Sequence, residues 1–210
     1  MAQTLKPEIA SRILSAAEHV FAECGYEKAT MAAIAERAGL STGNAYRYFA
    51  GKDALFDALI SDDFAAELLK LVRQRVESLA RAPSLTALDA AAQADAEALL
   101  RFFCAQRLRV ITLLDRAAGS RHAGFPERFI QSLLGPTRAR LKADLGAARL
   151  PDTVETVLHS VFRNTVQSLV HILAAYADEA KIREAFAAFW SYQLAGLAGF
   201  TRWVNHDSDR

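Results

Sequence analysis

Apolar positions recur at helical spacing along almost the whole chain, and strand-like alternation is missing. The first run, from about Pro7 to Cys24, puts Ile9, Ile13, Ala17, Val20 and Phe21 on one face, with Pro7 suited to a first helical turn and Gly25 as the stop. Two short runs follow. Thr30 stands where its hydroxyl can cap a helix that carries Ile34, Ala35 and Ala38 inward. Gly39 then supplies a turn, Leu40 anchors it, and Ser41 offers a cap for the next helix, which gathers Ala45, Tyr48 and Phe49 on one side. The next helix starts at Lys52 and carries Leu55, Phe56, Leu59, Phe64, Leu68, Leu71 and Val72, long enough to leave a small N-terminal domain and enter the next.

The remaining pattern predicts a helix opened by a Ser84 cap after Ala82-Pro83 and ending near Phe103, a helical segment from Leu108 to Ala117, and a loop from Gly119 to Phe125. Pro126 fits the first turn of the next helix, and Gly135-Pro136 inside its periodic run predicts a kink rather than an end. Leu150-Pro151 closes that segment. Asp152 and Glu155 have capping-box spacing at the head of a helix reaching about Tyr176, whose apolar arc from Val154 through Phe162 to Leu173 covers nearly half its circumference. The last helix, from Asp178 or Glu179 to about Val204, sets Ile182, Phe186, Phe189 and Phe200 on one face with Trp190, Leu194 and Leu197 beside them. The fold class is therefore all α: a three-helix N-terminal domain over residues 1–52 and a larger helical domain over 53–210, about nine or ten helices in all.

Composition agrees with a globular chain: 210 residues, 52% hydrophobic and 23% charged, with a net charge of +1. Within Met1–Lys52 six basic residues face five acidic ones, which counts against non-specific binding to a polyanion. Cys24 and Cys104 are far apart and belong to no metal-like spacing, so neither a metal nor a cofactor is expected. No signal-peptide run and no stretch approaching eighteen apolar residues is present, so a cytoplasmic protein without a membrane partner is expected. An enzyme is disfavoured, because no phosphate-binding glycine loop, metal set or nucleophile with a nearby base can be picked out.

The chemistry concentrates in residues 30–49. Opposite Ala45, Tyr48 and Phe49, the third helix displays Thr42, Gly43, Asn44, Tyr46 and Arg47. Asn pairs with adenine, Arg with guanine or phosphate, Thr with either, and a tyrosine hydroxyl reaches phosphate. Gly43 has no side chain to hold the helix off a groove floor, and Lys52 is a natural phosphate contact. A short surface helix can also display Asn and Arg for solubility alone, so spacing leaves both readings open.

From about Ile9 to Leu59 the chain resembles the TetR (TetR/AcrR) family of bacterial transcriptional regulators. The matching residues are Ile9, Ala16, Ala17, Phe21, Gly25-Tyr26, Thr30, Ile34, Ala35, Ala38-Gly39, Ser41, Gly43, Tyr46, Tyr48-Phe49, Lys52 and Leu55. The resemblance implies DNA contacts at Thr30, Thr42, Gly43, Asn44, Tyr46, Arg47 and Lys52. Two positions depart from the pattern: Ala32 stands where several members place a longer base-reaching residue, and Gly51 replaces the usual cap before the lysine. The stretch Phe125–Leu145 is similar, more weakly, to the AefR-like subgroup.

The resemblance further implies a repressor released from a palindromic operator by a small molecule. The wide apolar girth of the last two helices points to a homodimer through them, with Val161, Leu169, Phe189, Trp190, Leu197 and Phe200 as interface candidates and a larger single-chain core as the alternative. A second copy would place two reading helices one DNA turn apart. The nearly uncharged stripe Thr156, Ser160, Asn164, Gln167 and His171 suggests a pocket wall, with Phe102, Phe103, Cys104, Arg116, His122, Phe125 and Phe129 as further candidates. For each of these aromatics ordinary core is the competing reading, and for the histidines a satisfied or surface position. An architectural nucleoid or cell-division factor of the same fold, without a ligand, is the other functional class.

Overall fold

The computed structural model describes residues 6–82 and 89–207. Among the described residues ten helices and no strand occur: α1 (Pro7–Lys28), α2 (Met31–Arg37), α3 (Thr42–Tyr48), α4 (Lys52–Leu59), α5 (Asp62–Arg81), α6 (Ala90–Ala105), α7 (Arg107–Asp115), α8 (Phe125–Leu145), α9 (Asp152–Ala175) and α10 (Glu179–Asp207). The predicted Ser84 cap lies outside the described residues. Asp89 opens α6 instead, its carboxylate accepting from the Ala92 amide at 2.8 Å.

Gly25 interrupts α1 as expected, with φ 81° and ψ 162°. The predicted long helix from Lys52 to Val72 is not one helix. It breaks at Ile60 (φ −123°, ψ 77°), and Ser61 restarts it by accepting the Phe64 amide at 3.1 Å, with Asp62 and Asp63 in the favourable first turn. The capping box at Asp152 is also absent: Pro151 occupies the cap position without a side-chain bond, while Asp152 pairs with Arg149 at 2.7 Å and Glu155 with Arg138 at 2.6 Å. The helix containing Gly135-Pro136 continues through both residues.

The chain forms two compact units. One comprises the residues up to Ala66 together with Gln106–Pro126; the other comprises Glu67–Ala105 and the residues from Glu127 onward. The first unit thus runs past the expected boundary at Lys52. Leu55, Phe56, Leu59 and Ile60 bury fully in it, and a sequence-distant segment closes it through Val110, Leu113 and Leu114. Tyr26 donates its amide to the Arg116 carbonyl at 2.8 Å, Arg109 pairs with Glu18 at 3.1 Å, and Arg121 with Asp57 at 2.8 Å. Phe21, Tyr26 and Phe56 form its aromatic centre, Phe56 lying edge-on to both others at 5.3 and 4.9 Å.

The second unit is a helical bundle around Leu68, Val72, Phe103, Phe129, Leu134, Leu158, Leu169, Leu173, Ile182 and Phe186. Phe103 stacks on Phe186 at 5.5 Å, and Phe186 on Trp190 at 6.2 Å. No helix among the described residues is long and apolar enough to cross a membrane.

Candidate nucleic-acid interface and cavity

Two side-chain caps and one glycine set the geometry of α2 and α3. The Thr30 hydroxyl accepts the Ala33 amide at 3.1 Å, and the Ser41 hydroxyl accepts the Asn44 amide at 3.2 Å. Between them Gly39 adopts φ 66°; its amide donates to Glu36 and the Leu40 amide to Ala35, both at 2.9 Å, the paired bonds of a Schellman stop. Arg12 adds a guanidinium bond to the Ala38 carbonyl and Arg37 pairs with Glu23 at 2.7 Å, so the turn is tied to α1 from two sides.

Ala45 is completely buried against this frame, with Tyr48 and Phe49 half-buried beside it, and the Lys6 amide donates to the Tyr48 hydroxyl at 3.2 Å. Thr42, Gly43, Tyr46 and Arg47 are exposed together on the opposite side, and Asn44 is half-buried. A Cβ placed on Gly43 would meet nothing, so its surface is flat and open. Thr30 is exposed at the start of α2. Lys52 is held: its ammonium donates to the Tyr26 and Glu27 carbonyls at 3.0 and 3.3 Å and sits 4.4 Å from the centre of the Tyr26 ring. The Tyr26 hydroxyl in turn donates to Asp53, and that carboxylate, with burial second, pushes the phenol up to about 12. Arg12 and Tyr26 are therefore positioning residues that the linear pattern does not disclose, because each acts on a partner tens of residues away.

Residues 13–59 match the family model of the bacterial regulatory proteins, tetR family. Through this segment the chain is similar to the tetR family. Over 77 residues it is 35% identical to the HTH-type transcriptional regulator UidR of Escherichia coli, covering 37% of this chain and 39% of that protein. Over 52 residues it is 44% identical to an HTH-type transcriptional repressor of Mycobacterium tuberculosis, covering 25% and 28%. The chain thus matches about two fifths or less of these relatives' length. They are regulators by name, not enzymes. The solved structure of PfmR, a TetR-family regulator from Thermus thermophilus, aligns at 20% identity over 91% of this chain and 97% of that one, with a TM-score of 0.49.

The second unit holds a partly open cavity of about 280 Å³. Of the ten predicted pocket residues, Phe103 and Phe129 line it. Arg116, His122 and Phe125 belong to the first unit instead: Arg116 backs Gly25, and buried His122 places Nε2 3.2 Å from the Ile60 carbonyl. Phe102 and Cys104 are half-buried outside the lining, and burial pushes the Cys104 thiol up. The uncharged stripe of α9 does not face the cavity. Asn164, Gln167 and His171 are exposed and border shallow surface depressions, while the opposite face of α9 contributes Leu158, Phe162, Thr165 and Leu169 to the cavity wall. The polar groups that do line it, Arg75, Thr137, Arg140, Asp144, Thr165, Gln193 and Thr201, escaped the sequence reading because isolated polar residues on amphipathic helices read as solvent-facing. Among the six interface candidates, Leu169 is already buried, and it lines the cavity with Trp190, Leu197 and Phe200; Val161 and Phe189 are half-buried outside it. Tyr192 and Trp203, 77% and 53% exposed, are the prominent apolar surface of α10.

Proposed function

We propose that the protein is a DNA-binding transcriptional regulator, acting in the cytoplasm as a homodimeric repressor on a palindromic operator and released by a small molecule. One observation carries the reading: α3 is capped at its start, pinned by fully buried Ala45, and displays Thr42, Gly43, Tyr46 and Arg47 together, with Asn44 at their edge. Those groups suit base edges and phosphates in a major groove. The near-neutral reader favours a dimer, since two copies double the contacts without adding charge.

The cavity supports a ligand-responsive regulator over an architectural factor, because a partly enclosed, mostly apolar space with a few polar groups suits a small effector. An effector that changes operator affinity does so by a coupling of about 1 to 3 kcal/mol, and operator DNA weakens the effector by the same amount. The test is a footprint on the operator found by genome-wide binding. Asn44→Ala and Arg47→Ala are each expected to weaken binding by about 1 to 3 kcal/mol with little loss of melting temperature. Two unchanged footprints would remove α3 as the reader.

A further inference from the structure

The cavity is long rather than round. It follows α5 from Val72 to Ala80 and on to Ala82, and α10 from Trp190 to Thr201, and at a rise of 1.5 Å per residue each wall extends about 15 Å. Five aromatic rings, Phe103, Phe129, Phe162, Trp190 and Phe200, make most of it apolar.

Its polar groups differ in how fully they are engaged. Gln193 donates to the Thr165 hydroxyl at 2.9 Å, and that hydroxyl donates to the Val161 carbonyl at 2.9 Å; Thr137 donates to the Leu133 carbonyl at 2.9 Å. Arg140 meets both oxygens of Asp144 at 2.9 and 3.0 Å and reaches the Ala80 and Ala82 carbonyls at 2.7 and 3.4 Å. Arg75 stands apart. It is only 8% exposed, yet among the described residues its guanidinium donates one hydrogen bond, from Nη1 to the Ala92 carbonyl at 3.0 Å, and joins no ion pair. Asp95 offsets its charge from a distance while accepting the Ser78 hydroxyl. Burial opposes the charge and pulls the guanidinium below its ordinary pKa.

A guanidinium presents five N–H donors in a planar fork that matches a carboxylate bidentately. A buried cation with spare donors at the wall of an apolar cavity is thus short of an anion, and a carboxylate brought in by a ligand supplies both charge and acceptors. We infer that the effector is an elongated apolar carboxylate whose head docks on Arg75 and whose tail fills the aromatic-lined cavity. This rests on the proposed role of the unit as the effector-binding one.

The test compares three probes of equal length, decanoate, decan-1-ol and decylammonium, at monomeric concentrations. Binding is read from Trp190 fluorescence in a Trp203→Phe chain, since Trp203 lies outside the cavity. Decanoate is expected to bind at least about tenfold tighter than decanol, bidentate pairing of a buried guanidinium being a strong charge-assisted bond. From octanoate to decanoate affinity should rise about fourfold per methylene, the increment of one buried CH₂. In Arg75→Met the preference for decanoate should vanish while decanol is unchanged; if that variant loses its helical circular dichroism, the order of the three probes on the native Arg75 decides. Decanol or decylammonium binding as tightly as decanoate, decanoate binding unimpaired in a folded Arg75→Met, or no binding by any probe would each overturn the assignment. Decanoate binding as expected without releasing operator DNA would uphold the anion site and overturn the release mechanism alone.

Discussion

Gly39→Ala tests how α3 is aimed. At φ 66° an alanine is left-handed, which costs about 1 to 2 kcal/mol relative to glycine. The new Cβ would also stand 3.1 Å from the Arg12 guanidinium nitrogen that serves the Ala38 carbonyl. That flexible group has to give by a few tenths of an ångström, weakening a charged hydrogen bond worth about 1.5 to 3 kcal/mol rather than abolishing it. The sum is about 2 kcal/mol, a large share of a typical stability of about 5 to 15 kcal/mol. Urea unfolding followed by circular dichroism measures it, with operator binding measured on the same samples. Gly39→Asn, which tolerates the left-handed region, should cost about half as much. In an Arg12→Ala background the cost of Gly39→Ala should fall toward the backbone contribution alone, the two sites being in contact. A loss below about 0.5 kcal/mol, the range of a neutral surface change, or an asparagine as costly as alanine, would refute the reasoning.

Tyr26 gives a pH signature. Its phenol is raised to about 12 from an unfolded value of 10.0, so its contribution is complete below the unfolded value and is lost as the pH climbs through the folded one. Because the group is partly solvated, screening reduces the effect to about 1 kcal/mol. Wild type should therefore lose more stability than Tyr26→Phe between pH 10 and 12 in denaturant titrations, and parallel curves would contradict the Tyr26–Asp53 bond. For the proposed dimer, Phe189→Glu changes a half-buried residue outside the cavity and should convert dimer to monomer in sedimentation equilibrium; an intact dimer would move the interface elsewhere on α9 and α10.

The pair α2 and α3 was the most legible part of the chain, because its geometry is written in short-range chemistry. Thr30, Gly39 and Ser41 each act within a few residues of themselves, and Ala45 faces inward as helical periodicity requires. The break at Ile60 was hidden for the opposite reason. Phe64 and Leu68 continue the four-residue spacing of Phe56 and Ile60, so periodicity passes through a helix end set by one backbone turn and the Ser61 hydroxyl. The cavity was hidden because its key charge looks ordinary in sequence. Arg75 lies on a helix rich in Arg, Glu and Asp, and only packing against α6 reveals that it is buried. The stripe from Thr156 to His171 misled in the same way: uncharged polar residues tolerate water as readily as a pocket.

The unit that holds α3 is assembled from two separate stretches of chain, with α7 and the turns after it brought back onto α1 and α4 by the Tyr26–Arg116, Arg109–Glu18 and Arg121–Asp57 contacts. A graft of α2 and α3 onto another protein therefore cannot be made by a single cut. A fragment ending at Ala66 would leave the partners of Val110, Leu113 and Leu114 without their cover, so a chimera that keeps its specificity has to carry Gln106–Pro126 along with the N-terminal segment.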